Sequence, residues 1–166
     1  GVILVEGDAE EYLLPVFGHL LGSNFDKLGI SVCSVSGTNF LPYVHLLGKK
    51  GLNIPFSILT DLDPQKDKLA LGINRTHKIL NELIESEEKR NAINSPTEIL
   101  AQAPKFGVFL NCETLEIDLF RSNCHSQMCD CLIELTSNGE AVTRAQKWKA
   151  SPGELDPEQL LKDIKP

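Results

Sequence analysis

Four acidic residues sit just past two apolar runs that are far apart in the chain. Glu6 and Glu10 follow Val2-Ile3-Leu4-Val5, and Asp61 and Asp63 follow Pro55-Phe56-Ser57-Ile58-Leu59-Thr60. A carboxylate placed directly after a buried strand is costly without a partner. Carboxylates crowded together also repel each other unless a cation lies between them. The chemistry this predicts is binding of hard divalent ions, which prefer oxygen ligands, and through them work on phosphate groups. Asp61 and Asp63 are separated by one residue, so in an extended segment both side chains point the same way and Leu62 points away. A third acidic group, Glu113, Glu116 and Asp118, follows the apolar run ending at Leu110, and Glu116 is its best additional ligand.

Those acids can meet only if the elements carrying them are ordered correctly. Near-continuous apolar runs are the signature of parallel strands buried on both faces. Residues 2–5, 30–35, 55–60 and 106–110 read as four strands, and the first three alternate with helical patterns. Such β-α-β-α-β order with short connections predicts a mostly parallel α/β sheet flanked by helices, with right-handed crossovers. The carboxyl ends of its strands share one edge, where open α/β sheets bind ligands.

Between the strands, Gly7 allows a tight turn. Asp8 is then expected to cap a helix, with Glu11 completing a capping box. Leu13, Leu14, Phe17, Leu20 and Leu21 give that helix its apolar face. Ser36-Gly37-Thr38-Asn39 reads as a turn whose backbone and Thr38 hydroxyl are candidate phosphate contacts. Phe40, Tyr43, Val44 and Leu47 mark a second helix. The stretch from Leu71 to Ala92 reads as one exposed amphipathic helix, charged on its outer face. Ser95-Pro96-Thr97-Glu98 starts another, with Ser95 as cap and Pro96 at the first position. Residues 114–135 are expected to be mostly helical, and a last helix opens at Asp156-Pro157.

The chain has 166 residues, 42% of them hydrophobic and 23% charged, in the globular range. Its formal net charge of −7 argues against a strongly basic nucleic-acid module. It leaves nucleic acid open, because bound cations would invert the local field. Five cysteines with no secretory signal before them predict free thiols in a cytoplasmic protein. Cys124, His125, Cys129 and Cys131 lack the second ligand pair of a usual zinc site and read as packing residues. No apolar run is long enough to span a membrane, for which about 20 residues are needed. The first strand starts almost at Gly1 and the last helix breaks off at Lys165-Pro166, so a fragment of a longer protein is expected.

Taken together, four segments are specific where each alone is weak. Val5-Glu6-Gly7-Asp8-Ala9-Glu10, Val35-Ser36-Gly37-Thr38-Asn39-Phe40, Leu59-Thr60-Asp61-Leu62-Asp63 and Thr114-Leu115-Glu116 resemble the Toprim (topoisomerase–primase) domain of the OLD (overcoming lysogenization defect) family nucleases. The likeness covers about residues 2–120. It implies a Toprim catalytic domain over 1–120, with a helical insertion at about 70–103, and a helical appendage over 121–166.

The resemblance also implies a metal-dependent DNA endonuclease using two Mg²⁺ or Mn²⁺ ions about 4 Å apart. Metal ligation falls to Glu6, Glu10, Asp61, Asp63 and Glu116, with Asp118 able to replace or assist Glu116. Catalytic roles fall to Glu6, Asp61 and Asp63, and phosphate contact to Gly37 and Thr38. The implied partners are DNA and an ABC-type ATPase domain upstream in the same polypeptide, with a homodimer open and no membrane. The family's basic residue, in a Lys-Gly-Arg-like segment, is expected beyond Pro166, with Lys165 at most an approach to it.

Other readings of the same residues are a Toprim enzyme acting on RNA or passing DNA strands, a non-catalytic regulatory phosphate- and metal-binding module, for example of receiver type phosphorylated at Asp61, and a Toprim domain retained only for DNA binding or assembly. Strand passage needs a nucleophilic tyrosine, and Tyr12 and Tyr43 are expected in the core. A receiver needs a lysine at a strand end, whereas Lys105 precedes its strand.

Overall fold

A computed structural model describes residues 1–164. The chain divides into two compact units, Gly1–Cys112 and Glu113–Pro166. The division falls just after the last strand, whereas the sequence placed it about residue 120. It assigns Glu116 and Asp118 to the second unit.

The first unit is a sheet with helices. Its strands are β1 (Val2–Val5), β2 (Ser31–Ser34), β3 (Phe56–Thr60) and β4 (Val108–Leu110). They run in the order β2-β1-β3-β4, every neighbouring pair parallel. Register pairs Leu4 with Cys33 on one side and with Ile58 on the other, and Ile58 with Val108. Leu4, Ile58 and Val108 are accordingly sealed from solvent, and Phe40, Val44, Leu47, Ile79 and Ala103 pack with them. The central strands β1 and β3 carry the most deeply buried of the apolar runs, Leu4 and Val5 in one and Ile58 and Thr60 in the other.

Helices α1 (Asp8–Leu20), α2 (Phe25–Leu28), α3 (Leu41–Leu47), α4 (Leu71–Leu83), α5 (Glu87–Asn91) and α6 (Pro96–Gln102) connect the strands. A short 3₁₀ turn, Ala103–Phe106, leads into β4. Three expectations need correction. The cap of α1 is Gly7, one residue earlier than expected, and Glu10 rather than Glu11 reaches back to accept the Gly7 amide at 3.2 Å; glycine has no side chain to return the bond, so only half of the expected capping box forms. Leu20 and Leu21 are exposed at 75% and 84%, since α1 buries its face over only part of its length. The single helix expected over 71–92 is two helices. Ile84 takes extended dihedrals and turns inward to 3% exposure, and Ser86 then caps α5 by accepting the Lys89 amide. A buried apolar anchor at the break outweighs the continuous helical periodicity. The box at Ser95, Pro96 and Glu98 forms as expected.

The second unit is helical: α7 (Leu115–Leu119), α8 (His125–Leu135), α9 (Gly139–Ala150) and α10 (Pro157–Ile164). Between α7 and α8, Ser122 and Asn123 leave helical geometry, Asn123 with φ 72°. Its own core is Ile117, Phe120, Cys129, Leu132, Ala145, Trp148 and Leu160. Arg144 forks onto Asp163 with two bonds of 2.8 Å, tying α9 to α10. Cys129 is a core residue and Cys131 is exposed, and none of the five cysteines is in a disulfide.

Candidate functional site

The carboxyl ends of β1 and β3 lie side by side, because β1 pairs directly with β3. Glu6 leaves β1 and Asp61 leaves β3 at this shared rim. One oxygen of Glu6, Oε1, accepts the Asp61 amide at 2.9 Å and the Thr60 hydroxyl. The sheet therefore ties the two acidic segments together through Glu6 itself. Thr60 is 1% exposed and Glu10 is 6% exposed, so the rim is dry on its inner side.

Asp63 reaches the same place by a different route from the one its spacing suggested. The segment is not extended there. Asp63 has φ 50°, the left-handed region that Asp tolerates better than most residues. That turn brings the backbone of Leu62 and Asp63 under the start of α4. The Gly72 amide donates to the Leu62 carbonyl at 2.9 Å and the Leu71 amide to the Asp63 carbonyl at 3.2 Å. These amides belong to a helix's first turn and have no partner within the helix. The contact is so close that a Cβ on Gly72 would lie 2.3 Å from the Asp61 carbonyl oxygen and 2.8 Å from the Leu62 Cα.

One turn further along α4, Arg75 enters the cluster. Its Nη1 donates to Glu6 Oε1 at 2.5 Å, to the Thr60 hydroxyl, and to the Asp61 carbonyl at 3.2 Å. Its Nη2 donates to Asp63 Oδ2 at 2.7 Å. The side chains of Arg75, Glu6 and Asp63 are only 11%, 16% and 28% exposed. A cluster this dry is held in place by several simultaneous hydrogen bonds, since Coulomb attraction alone does not repay the loss of water.

Asp61 itself is bound differently. Its Oδ1 accepts from the Asn111 side chain at 2.7 Å, and the Asn111 amide donates to the Thr60 carbonyl at 3.0 Å, extending the β4 register by one residue. Burial pushes the Asp61 carboxyl up to about 7 from an ordinary 3.8. The Asn111 bond opposes that rise, and the charges of Glu6, Glu10 and Asp63 add to it. Asp61 thus sits in a poorly solvated, negatively charged environment that favours its protonated form.

The structure brings Glu6, Glu10, Asp61 and Asp63 into one electrostatic neighbourhood, as the Asp61 shift requires. Glu116 and Asp118 lie in the second unit. There Glu116 accepts the Thr114 hydroxyl at 2.9 Å and Asp118 accepts the Glu113 amide at 3.4 Å. Gly37 and Thr38 are exposed, with Ser36 and Gly37 at φ 54° and 142°. The Gly37 amide is already committed to the Glu6 carbonyl at 2.8 Å, so this turn buttresses Glu6 and offers a phosphate no Gly37 N–H. Tyr12 is 74% exposed and Tyr43 36% exposed, so neither lies in the core as expected. Lys165 lies outside the described residues.

Two partners were missed in the sequence, Arg75 and Asn111. Arg75 had a legible signal. It falls between Gly72 and Ile79 at spacings of three and four, on the inward stripe with Thr76, rather than on the charged outer face. Asn111 had none beyond its position directly after β4.

Among the described residues, no set of three or more carboxylate, imidazole or thiolate groups is disposed to hold an ion as the side chains stand. The donor set nevertheless fits a hard cation: oxygen ligands only, a rim rich in negative charge, and Asp61 held partly neutral by burial and by the acids around it. Arg75 now takes the place between Glu6 and Asp63 that a cation would take.

Comparison with known proteins accords with this architecture. Residues 1–63 match the family model for the overcoming lysogenization defect protein-like TOPRIM domain. Toprim domains generally bind divalent metal ions. No curated protein sequence matches the chain. Among solved structures, the C-terminal region of the Burkholderia pseudomallei OLD protein is 41% identical, with a TM-score of 0.83. The match covers 99% of this chain and 79% of that one. The C-terminal region of the Xanthomonas campestris pv. campestris OLD protein is 40% identical, with a TM-score of 0.84, covering 99% and 77%. At this identity and coverage, with the acidic rim built on a parallel Toprim-type sheet, the chain belongs to the OLD family, and its sheet unit opens with that family's Toprim segment.

Proposed function

We propose that this chain is the nuclease region of an OLD-type protein and hydrolyses DNA phosphodiester bonds with two Mg²⁺ or Mn²⁺ ions. The observation that carries the reading is the convergence of Glu6, Asp61 and Asp63, from separate segments, on one strand-end rim where burial and neighbouring negative charge drive Asp61 toward neutrality. A structural ion pair alone would need one acid for Arg75. Here Glu6 and Asp63 both bind it, and the charges of Glu6, Glu10 and Asp63 all act on the buried Asp61.

In this reading Glu6, Asp61 and Asp63 would hold the ions through their carboxylate oxygens, and Asp61 would serve in its ionised form. Divalent ions, when bound, supply charge neutralisation at the phosphate and acidify a water. Thr60 and the Asp61 amide fix the Glu6 carboxylate in orientation, and Asn111 fixes that of Asp61. Glu10 adds negative charge from the first turn of α1, where the helix dipole tolerates it. An ABC-type ATPase domain upstream and cytoplasmic DNA as partner belong to the same proposal. Among the described residues no helix is long and apolar enough to cross a membrane.

The test is cleavage of supercoiled plasmid by the full-length protein in Mg²⁺ or Mn²⁺. Asp61→Ala and Glu6→Ala should each reduce nicking by about 10²–10³-fold, the range expected when groups stabilising the transition state are lost. Cleavage that survives in both variants contradicts the proposal. Cleavage of RNA but not DNA would reassign the substrate.

A further inference from the structure

Arg75 has no role in the reaction just described, yet its guanidinium donates to Glu6, Thr60, Asp61 and Asp63 at the rim. It spans two segments. One nitrogen sits on Glu6, from the end of β1, and the other on Asp63, from beyond the end of β3. Its place is fixed from behind: α4 is docked on the Leu62–Asp63 backbone through Gly72, with no room for a larger residue. Ile73, Thr76, Ile79 and Leu80 bury the remainder of the helix face. The Arg75 side chain is thus delivered into the acidic cluster by a rigid element, not by a mobile loop.

A guanidinium matches two carboxylates well because its donors lie in a planar fork. It cannot share the same oxygens with a divalent ion at close range, because like charges in a poorly hydrated site repel strongly. From this geometry we infer that Arg75 is a resident counter-cation: it occupies the Glu6–Asp63 gap in the metal-free protein, and divalent ions must displace it to load. The inference rests on the metal-binding reading above and extends it to a residue outside the ligand set. Arg75 is a positioning residue with two effects. It keeps the acidic rim folded when no metal is bound, and it raises the concentration of metal needed to fill the site. Once displaced, the guanidinium remains tethered to α4 beside the rim.

The experiment compares the intact protein with Arg75→Gln and Arg75→Lys, by calorimetric titration with Mn²⁺ and by thermal melting in EDTA. Gln keeps most of the length and removes the charge. Lys keeps the charge but cannot fork onto two carboxylates. Arg75→Gln should melt lower than wild type in EDTA and bind Mn²⁺ about tenfold more tightly or better, as expected when a cation is removed from the edge of a cation site. Its melting point should rise further on adding Mn²⁺ than that of wild type. Arg75→Lys should fall between the two in affinity.

A folded Arg75→Gln protein that binds Mn²⁺ no more tightly than wild type overturns the inference and leaves the metal reading standing. If Arg75→Gln does not fold in EDTA, Arg75→Lys decides: affinity at or below the wild-type value overturns the inference, and tighter binding supports it. Failure of wild type and both variants alike to take up millimolar Mn²⁺ overturns the inference together with the metal reading.

Discussion

At the scale of single residues, the site is a problem in charge placement. Glu6 is tolerated at the end of a buried strand because one oxygen collects three donors: a hydroxyl, an amide and a guanidinium. Asp61 is instead driven toward its neutral form, chiefly by burial. Its folded-state value of about 7 lies above the ordinary 3.8, so between those pH values the folded protein binds more protons than the unfolded chain. Stability should therefore decline as pH rises through that window when no metal is present. Asp61→Asn removes the titration, and its amide oxygen can still accept from Asn111. In EDTA, melting curves from about pH 4 to 8 should show the decline in wild type and a flatter profile in Asp61→Asn. Identical slopes would mean that Asp61 is not the group responsible. The same linkage makes Mn²⁺ binding strengthen as pH rises toward about 7, since the metal needs the ionised carboxylate.

The residue scale is also where the sequence was most and least informative. Spacing and strand order placed Glu6, Glu10, Asp61 and Asp63 at one rim, where the structure has them, because an acid just past a buried strand must be matched by a cation or by several donors. It gave the wrong geometry for Asp63, since alternation assumes an extended chain and Asp63 turns left-handed. It missed Arg75 because a charged residue on an amphipathic helix reads by default as solvated, although its position on the Gly72–Ile79 stripe contradicts that. Asn111 acts through a hydrogen bond that no periodicity encodes.

At the scale of elements, the rim depends on two fixed relationships. The first is the register of β1 against β3, which sets Glu6 beside Asp61. Ile58 lies at its centre, fully buried and paired to both Leu4 and Val108. Ile58→Ala should cost about 2–5 kcal/mol, as other large-to-Ala core changes do. Denaturant melts would read that as a lower midpoint with little change in slope. The second relationship is the docking of α4 on the Asp61–Asp63 backbone through Gly72. Gly72→Ala inserts a methyl into backbone atoms that cannot yield as a side-chain end would. About 1–3 kcal/mol of destabilisation is expected from overpacking. Because α4 carries Arg75, the variant should also shift Mn²⁺ affinity, whereas a comparably destabilised Ile58→Ala protein should shift it less. Equal affinity changes in the two would show that α4 does not position the guanidinium.

The strands, their order of appearance and the cap at Ser95 with Pro96 at the first helical position were legible because each is a local pattern with a mechanism. The single helix expected over 71–92 was not borne out. Ile84 is needed in the core with Ile73, Leu80, Ile93 and Ile99, and satisfying that contact breaks the helix. Tertiary demand of this kind overrides local propensity and is invisible to a reading along the chain.

At the scale of the whole molecule, an acidic chain of net charge −7 is an unpromising ligand for DNA on its own. Metals bound where the negative charge is concentrated would resolve this, so DNA retention should depend on divalent ions. In gel-shift experiments, Ca²⁺ or Mn²⁺ should support binding that EDTA abolishes. Tight binding in EDTA would imply a metal-independent DNA surface instead. The most direct test is a crystal of this chain soaked in Mn²⁺ and measured at an anomalous wavelength. Manganese is expected within about 2.5 Å of carboxylate oxygens of Glu6, Asp61 and Asp63, with the Arg75 guanidinium withdrawn from both acids. Anomalous density absent from that rim, with Arg75 still bridging Glu6 and Asp63, would contradict a metal-loaded acidic rim as the working site.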